Sequence, residues 1–140
     1  MNLKTSCSTG DRINELSYRV IGRCLEVHRH LGPGLLESVY EEALAHELKW
    51  AAIRFVRQEP IHVVYKGADL DCGFRADLVV EDDLIVELKS VTEITAVHQA
   101  QILTYLKLSR RSLGLLINFN VPTLKNGIRR VVAGALFKSD

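Results

Sequence analysis

The sequence predicts an α/β fold, an α+β sandwich built in the order helix, helix, strands, hairpin, helix, strand, strand. Three observations carry this. Apolar residues between Ile13 and Ala51 recur at intervals of three and four, the helical period, and that period returns from Ala96 to Ser109. Between these stretches, Ala76–Val80 and Leu84–Leu88 are short apolar runs around the acidic turn Glu81-Asp82-Asp83, the pattern of an antiparallel hairpin. Leu113–Asn118 is an unbroken apolar run, as expected of a strand covered on both faces.

Taken in order, residues 1–10 show no periodic apolar pattern and read as a leader, with residues 11–140 as one domain. Asp11 suits the N-cap of a first helix running to about His30, with Leu16, Val20, Ile21, Leu25, Val27 and Leu31 as its apolar positions. Leu31-Gly32-Pro33-Gly34 ends it, because two glycines around a proline cannot continue a helix. A second helix spans about Leu35 to Ala51. Leu36, Val39, Tyr40, Ala43, Leu44 and Leu48 form its apolar stripe, and Glu37 projects to the stripe's edge, as Glu47 also falls within it.

Ile53–Val56 and Ile61–Tyr65 read as strands around the loop Arg57-Gln58-Glu59-Pro60, the proline marking a bulge or an edge strand. Lys66-Gly67-Ala68-Asp69 is a turn, and the hairpin follows Gly73. Thr95 caps a third helix, Ala96–Ser109, which carries Ile102, Leu103 and Leu106 on one face and His98, Gln101, Tyr105 and Leu108 in a separate row. Asn118–Pro122 is a loop and Ile128–Val132 a last strand, with no internal repeat and no linker.

Length and composition narrow the class. A chain of 140 residues buries roughly two-thirds of its unfolded surface in one core. With 47% hydrophobic and 25% charged residues, disorder has no support. A net charge of +1 neither requires nor excludes nucleic acid, since clustering of basic residues decides that. Arg110-Arg111 and Arg129-Arg130 would serve as phosphate contacts or as a solvated face. Cys7, Cys24 and Cys72 fit neither a disulfide framework nor a thiolate zinc site, and read as reduced thiols of a cytoplasmic protein. No apolar run approaches the roughly 20 residues that span a bilayer, so no membrane partner is expected.

The hairpin is where chemistry concentrates. Alternation along a strand puts Glu87 and Lys89 on one face, with Leu84, Val86 and Leu88 on the other. If the turn is three residues long, Val80 pairs with Leu84 and Asp77 falls opposite Glu87, so Asp77, Glu87 and Lys89 form one cluster. Mg²⁺ is typically held by one or two carboxylates, substrate phosphate and water, and so held it polarises a phosphoryl oxygen and acidifies a water. Lys89 would orient the nucleophile or offset charge developing at phosphorus. The plain alternative is a solvated sheet face whose ion pair is worth at most about 1 kcal/mol. Against it, both strands are otherwise apolar, so the charges must be partly buried, and buried charge without partners is costly.

Other polar residues read more simply. His98 is a hydrogen-bonded or surface residue, and His28 and His30 lie on different helix faces and cannot share a metal. Tyr40 is a core aromatic whose hydroxyl reaches Glu37 or a neighbouring polar group, Gly34 serves the turn, and Gln58 is a loop residue.

Asp77 followed by Glu87-Leu88-Lys89 resembles the acid, then Glu-x-Lys, signature of the PD-(D/E)XK nuclease superfamily. Gly34-Leu35-Leu36-Glu37-Ser38-Val39-Tyr40 resembles the motif of the GxxExxY family, a small bacterial branch of it. The likeness runs from about Asn14 to Val132 and includes Leu31-Gly32-Pro33-Gly34, Arg75-Ala76-Asp77-Leu78, Val86-Glu87-Leu88-Lys89 and Leu116-Ile117-Asn118-Phe119. It implies a restriction-endonuclease-like core, a central mixed sheet with an antiparallel hairpin flanked by helices. It also implies that Glu37 joins Asp77 and Glu87 at a metal. Gln101-Ile102-Leu103-Thr104-Tyr105 is similar to the Gln-x-x-x-Tyr motif that exonuclease branches place beside the active site. Ala76 stands where the signature has proline, which leaves the ligands untouched.

The resulting expectation is a metal-dependent nuclease that cleaves DNA with Mg²⁺, or Mn²⁺ in its place. Glu37, Asp77 and Glu87 hold the metal, Lys89 assists the nucleophile, and Gln101, Tyr105 and Tyr40 position substrate. DNA is the expected partner, and a homodimer is allowed. The alternative is a non-catalytic nucleic-acid-binding or regulatory module that keeps the nuclease fold.

Overall fold

The computed structural model describes residues 9–70 and 73–133. Cys7, Cys72, most of the expected leader and the tail beyond Ala133 lie outside the described residues. Helix α1 (Thr9–Leu31) and helix α2 (Glu37–Trp50) are joined by a turn in which Gly32 and Gly34 take φ of 68° and 97°. Those left-handed values are why glycine occupies both positions. Strands β1 (Phe55–Pro60), β2 (Val63–Tyr65), β3 (Ala68–Leu70), β4 (Arg75–Val80) and β5 (Leu84–Lys89) follow. Helix α3 (Ala96–Ser109), strand β6 (Leu113–Asn118), a 3-10 turn at Leu124–Gly127 and strand β7 (Ile128–Val132) complete the order.

The main sheet runs β1-β4-β5-β6-β7, and β2 pairs with β3 as a separate ribbon. Only the β5–β6 neighbours are parallel, because α3 carries the chain across between them, so the sheet is mixed. One face of the sheet, Leu78, Val80, Leu84, Val86, Leu88, Leu115 and Ile117, packs on α1 and α2. The other face, Val79, Ile85 and Leu116, packs on Ile102, Tyr105 and Leu106 of α3. The central strands are therefore covered on both sides, and every residue of β6 is buried, as its unbroken apolar sequence requires. Gly114 lets α3 approach closely: a Cβ there would meet Ile102 Cδ1 at 2.8 Å. Among the described residues no helix is long and apolar enough to cross a membrane.

Three expectations are corrected. Arg57–Pro60 is strand rather than loop, since Pro60 is the last residue of an edge strand, where a missing N–H costs no ladder bond. The apolar stripe of α2 is covered only from Tyr40 onward: Leu36 and Val39 are exposed, and the buried set is Tyr40, Glu41, Leu44, Ala45 and Leu48. The first helix begins at Thr9, inside the segment expected as a leader. Thr95 does cap α3, and it does so with His98: the Thr95 hydroxyl accepts from the His98 amide, and the His98 ring accepts from the Thr95 amide. This capping box accounts for His98 without a ligand role.

Candidate active site

The β4–β5 ladder pairs Val80 with Leu84, Val79 with Ile85 and Leu78 with Val86, across a turn in which Glu81 and Asp82 take φ of 50° and 63°. This is the register expected of a three-residue turn. At the next step, where Asp77 and Glu87 would pair, side chains replace the ladder. The Asp77 amide donates to Glu87 Oε2 at 2.6 Å, and the Leu88 amide donates to Asp77 Oδ2 at 2.8 Å. Each acid thus caps the backbone of the opposite strand. Ala76 and Val79, three apart, pack into the same cluster, so the alternation of faces breaks across Asp77.

The electrostatics follow from burial. Glu87 is only 5% exposed, and burial, reinforced by the Asp77 charge, pushes its carboxyl up to about 8. Asp77 is raised as well, mainly by burial, with the Glu41 charge adding to it. Lys89, half-buried on the same strand, acts in the opposite direction on Glu87. Two carboxylates with too little positive charge around them are hard-oxygen donors suited to a divalent cation, so the donor set fits a metal.

Helix α3 brings Tyr105 to this pair. Tyr105 is buried, and its phenol is raised first by burial and then by the charges of Glu87 and Asp77, with the Gln101 side chain acting in the opposite direction. Phe74 leans on it with ring centroids 6.1 Å apart. Gln101 itself is exposed at the surface.

Glu37 meets the chain just past the C-terminal end of β5, the end that carries Glu87 and Lys89. It is exposed, and its Oε2 accepts from the Ser90 amide at 3.3 Å, while Ser90 Oγ donates to the Leu35 carbonyl at 2.6 Å. Among the described residues, no three His, Cys, Asp or Glu side chains form a group that could hold a metal ion. The structure thus joins Asp77 to Glu87 directly and ties Glu37 to the strand one residue past Lys89.

Tyr40 is placed differently from a substrate-positioning residue. It is fully buried, stacked on Phe119 at 4.4 Å, and its hydroxyl donates to the Gly32 carbonyl and accepts from the Leu35 amide. With no surface left for substrate, it braces the glycine turn that presents Glu37. His28 is likewise buried, its Nε2 within 2.8 Å of the Val121 carbonyl oxygen. Arg111 bonds Asp82 at the turn end of the hairpin, away from the acids, and Arg130 bonds Ser17 and Asn14 of α1. Both side chains are thus engaged by other groups of the fold.

Three residues near the site escaped the sequence reading. Glu41, buried on α2, accepts from Arg57 Nε and Gln58 Nε2, each at 2.9 Å, and Gln58 Nε2 also donates to Asp77 Oδ1 at 3.4 Å. Glu41 lies one turn beyond Glu37, and that four-residue spacing is the signal that would have found it. Asn118, 2% exposed, bonds both main-chain groups of Val91 and the Asn120 amide, fixing the segment beyond Lys89.

Comparison with curated proteins and with solved structures returns no match. A family model described as the PD-(D/E)XK nuclease superfamily matches residues 14–131, which include every residue of the site. An acid on one hairpin strand, a Glu-x-Lys on the next and a family match over most of the chain agree, and the chain belongs to the PD-(D/E)XK nuclease superfamily.

Proposed function

We propose that this domain hydrolyses phosphodiester bonds in DNA, with Asp77, Glu87, Lys89 and Glu37 as its catalytic residues. The observation that carries the proposal is the interlocked pair Asp77–Glu87, a half-buried and a buried carboxylate at the open end of a hairpin with Lys89 two residues on. Asp77 and Glu87, with Glu37 as a third carboxylate, would hold Mg²⁺ or Mn²⁺, which when bound supplies Lewis acidity at the scissile phosphate. Lys89 places a positive charge beside Glu87, where charge builds up on the phosphate oxygens. Gln101 and Tyr105 line the α3 side and position substrate, the exposed Gln101 amide offering both a donor and an acceptor.

A second reading, a nucleic-acid-binding module without turnover, is favoured by one observation: the acids do not gather as a group of three among the described residues. One assay separates the two. Purified protein is incubated with linear, nicked and single-stranded DNA and with RNA, in Mg²⁺ or Mn²⁺, alongside Glu87→Ala and Lys89→Ala. The nuclease cleaves at least one DNA substrate, and each variant loses activity by roughly 100-fold or more. Binding without cleavage by the wild type would establish the module, and cleavage that survives both substitutions belongs to a contaminant.

A further inference from the structure

We propose that Gln58 is a positioning residue of this site: its side-chain amide, aimed from a left-handed kink in β1, ties Glu41 to Asp77 and holds the Asp77 carboxylate against the Leu88 amide. The role rests on the reading of Asp77 as a catalytic acid. The β1–β4 register passes from Arg57 opposite Leu78 to Glu59 opposite Ala76, which brackets Gln58 opposite Asp77. There the backbone takes a φ of 53°, in the middle of a strand. A residue other than glycine seldom adopts that conformation, and it persists only where the surroundings impose it.

The surroundings are charged and well connected. Arg75 Nη1 donates to the Gln58 carbonyl at 3.3 Å, and the neighbouring Arg57 donates to Glu41 and Glu42, each at 2.9 Å. The side-chain nitrogen of Gln58 then reaches Glu41 Oε1 at 2.9 Å and Asp77 Oδ1 at 3.4 Å. Both of those neighbours are acceptors, so the nitrogen rather than the oxygen of the amide must face them, and its two hydrogens serve one acid each.

Asp77 is consequently held at both oxygens, Oδ1 by Gln58 and Oδ2 by Leu88. With one of these removed, the carboxylate can turn about its own bonds. Residue type matters as much as reach. Glutamate would add a further negative charge between Glu41 and Asp77, whereas glutamine is a neutral double donor that satisfies two acids without drawing off the charge a cation needs.

The test uses the full chain with Gln58→Gly, Gln58→Met and Gln58→Glu. Glycine relieves the left-handed φ and so favours the fold while deleting the amide, and methionine keeps the length without a donor. Two quantities are measured: hydrogen exchange of the Leu88 amide by NMR, with Val79 and Ile85 as internal references, and kcat and KM for DNA cleavage. Leu88 exchange should quicken by roughly tenfold or more in the glycine and methionine variants while the two references hold. In the same variants kcat should fall by roughly tenfold with KM unchanged, and glutamate should be worse than methionine. Unchanged Leu88 exchange overturns the assignment, as does acceleration spread evenly over the hairpin, an intact kcat, or a loss confined to KM. A wild-type protein that cleaves nothing refutes the nuclease reading instead, and Leu88 exchange then decides the Gln58 assignment alone.

Discussion

Replacing Glu87 with Gln should stabilise this protein at neutral pH and remove most of the pH dependence of its stability in metal-free buffer. The carboxyl of Glu87 is raised from 4.5 to about 8, first by burial and then by the Asp77 charge. Between those values the folded protein keeps a proton that the unfolded chain has released. The folded state then binds more protons, so stability falls as pH rises. The favourable contribution is whole below about 4.5 and drains away at about 1.4 kcal/mol per pH unit until the group ionises near 8. By pH 7 the loss is of the order of 3 kcal/mol, a large part of the roughly 5–15 kcal/mol that holds a domain together.

Asp77, raised in the same direction, adds a loss of the same sign. Glutamine keeps an oxygen for the Asp77 amide, now bonded at 2.6 Å, and has no proton to lose. Urea unfolding with EDTA at pH 5, 6, 7 and 8 measures the effect. The two proteins should nearly coincide at pH 5, and the variant should be more stable by a few kcal/mol at pH 8. Parallel curves, or a variant less stable throughout, would show that Glu87 is not held protonated by burial and by Asp77, and the electrostatic account of the site would be lost.

The same linkage governs metal. Mn²⁺ affinity measured by calorimetry should rise between pH 6 and 8 by up to about tenfold per unit, with close to one proton released, and a flat profile would place the ion elsewhere. Gly127→Ala should cost about 3 kcal/mol in urea unfolding, because its Cβ would stand 2.2 Å from the Asn118 carbonyl oxygen, a main-chain atom that cannot retreat. Gly114→Ala meets only the end of the Ile102 side chain and should cost less, about 1 kcal/mol. Tyr40→Phe should lose about 1–3 kcal/mol and speed exchange at the Leu35 amide, since that hydroxyl is the amide's acceptor.

What could be read from the sequence is what periodicity and turn length control. A three-residue turn leaves one facing for Asp77 and Glu87, and the structure has that register as far as Leu78 and Val86. The four-residue interval between Gln101 and Tyr105 put them in one row, and Tyr105 is close enough to the acids to feel the charges of Glu87 and Asp77. What escaped was polarity inside the packing. A stripe drawn through apolar residues alone could not include Glu41, although it is buried between Tyr40 and Leu44. Projection gave Glu47 equal standing with Glu37, and only the fold shows Glu47 paired with Arg23 at 3.0 Å. Gln58 was hidden in the polar run Arg57-Gln58-Glu59-Pro60, which reads as a loop between two apolar strand runs.

Glu37 and Glu41 stand one turn apart on α2 and grip the hairpin through different intermediaries, the first by the Ser90 amide and the second through Gln58 to Asp77. Any rotation of α2 about its axis therefore disturbs both ends of the site together. What fixes that rotation is Tyr40, which lies between them in sequence and stacks on Phe119 with only 9° between the ring planes. Phe119 is in turn anchored by its amide to the Lys89 carbonyl at 2.9 Å, and its neighbour Asn118 holds Val91. The chain of contacts closes on itself: α2 to β5 through Glu37, β5 to the end of β6 through Lys89, and back to α2 through the stacked rings. A domain that holds two coupled carboxyls together at a cost of about 3 kcal/mol of its stability at neutral pH needs such a closed circuit, since one loose member would let the acids separate and escape to solvent.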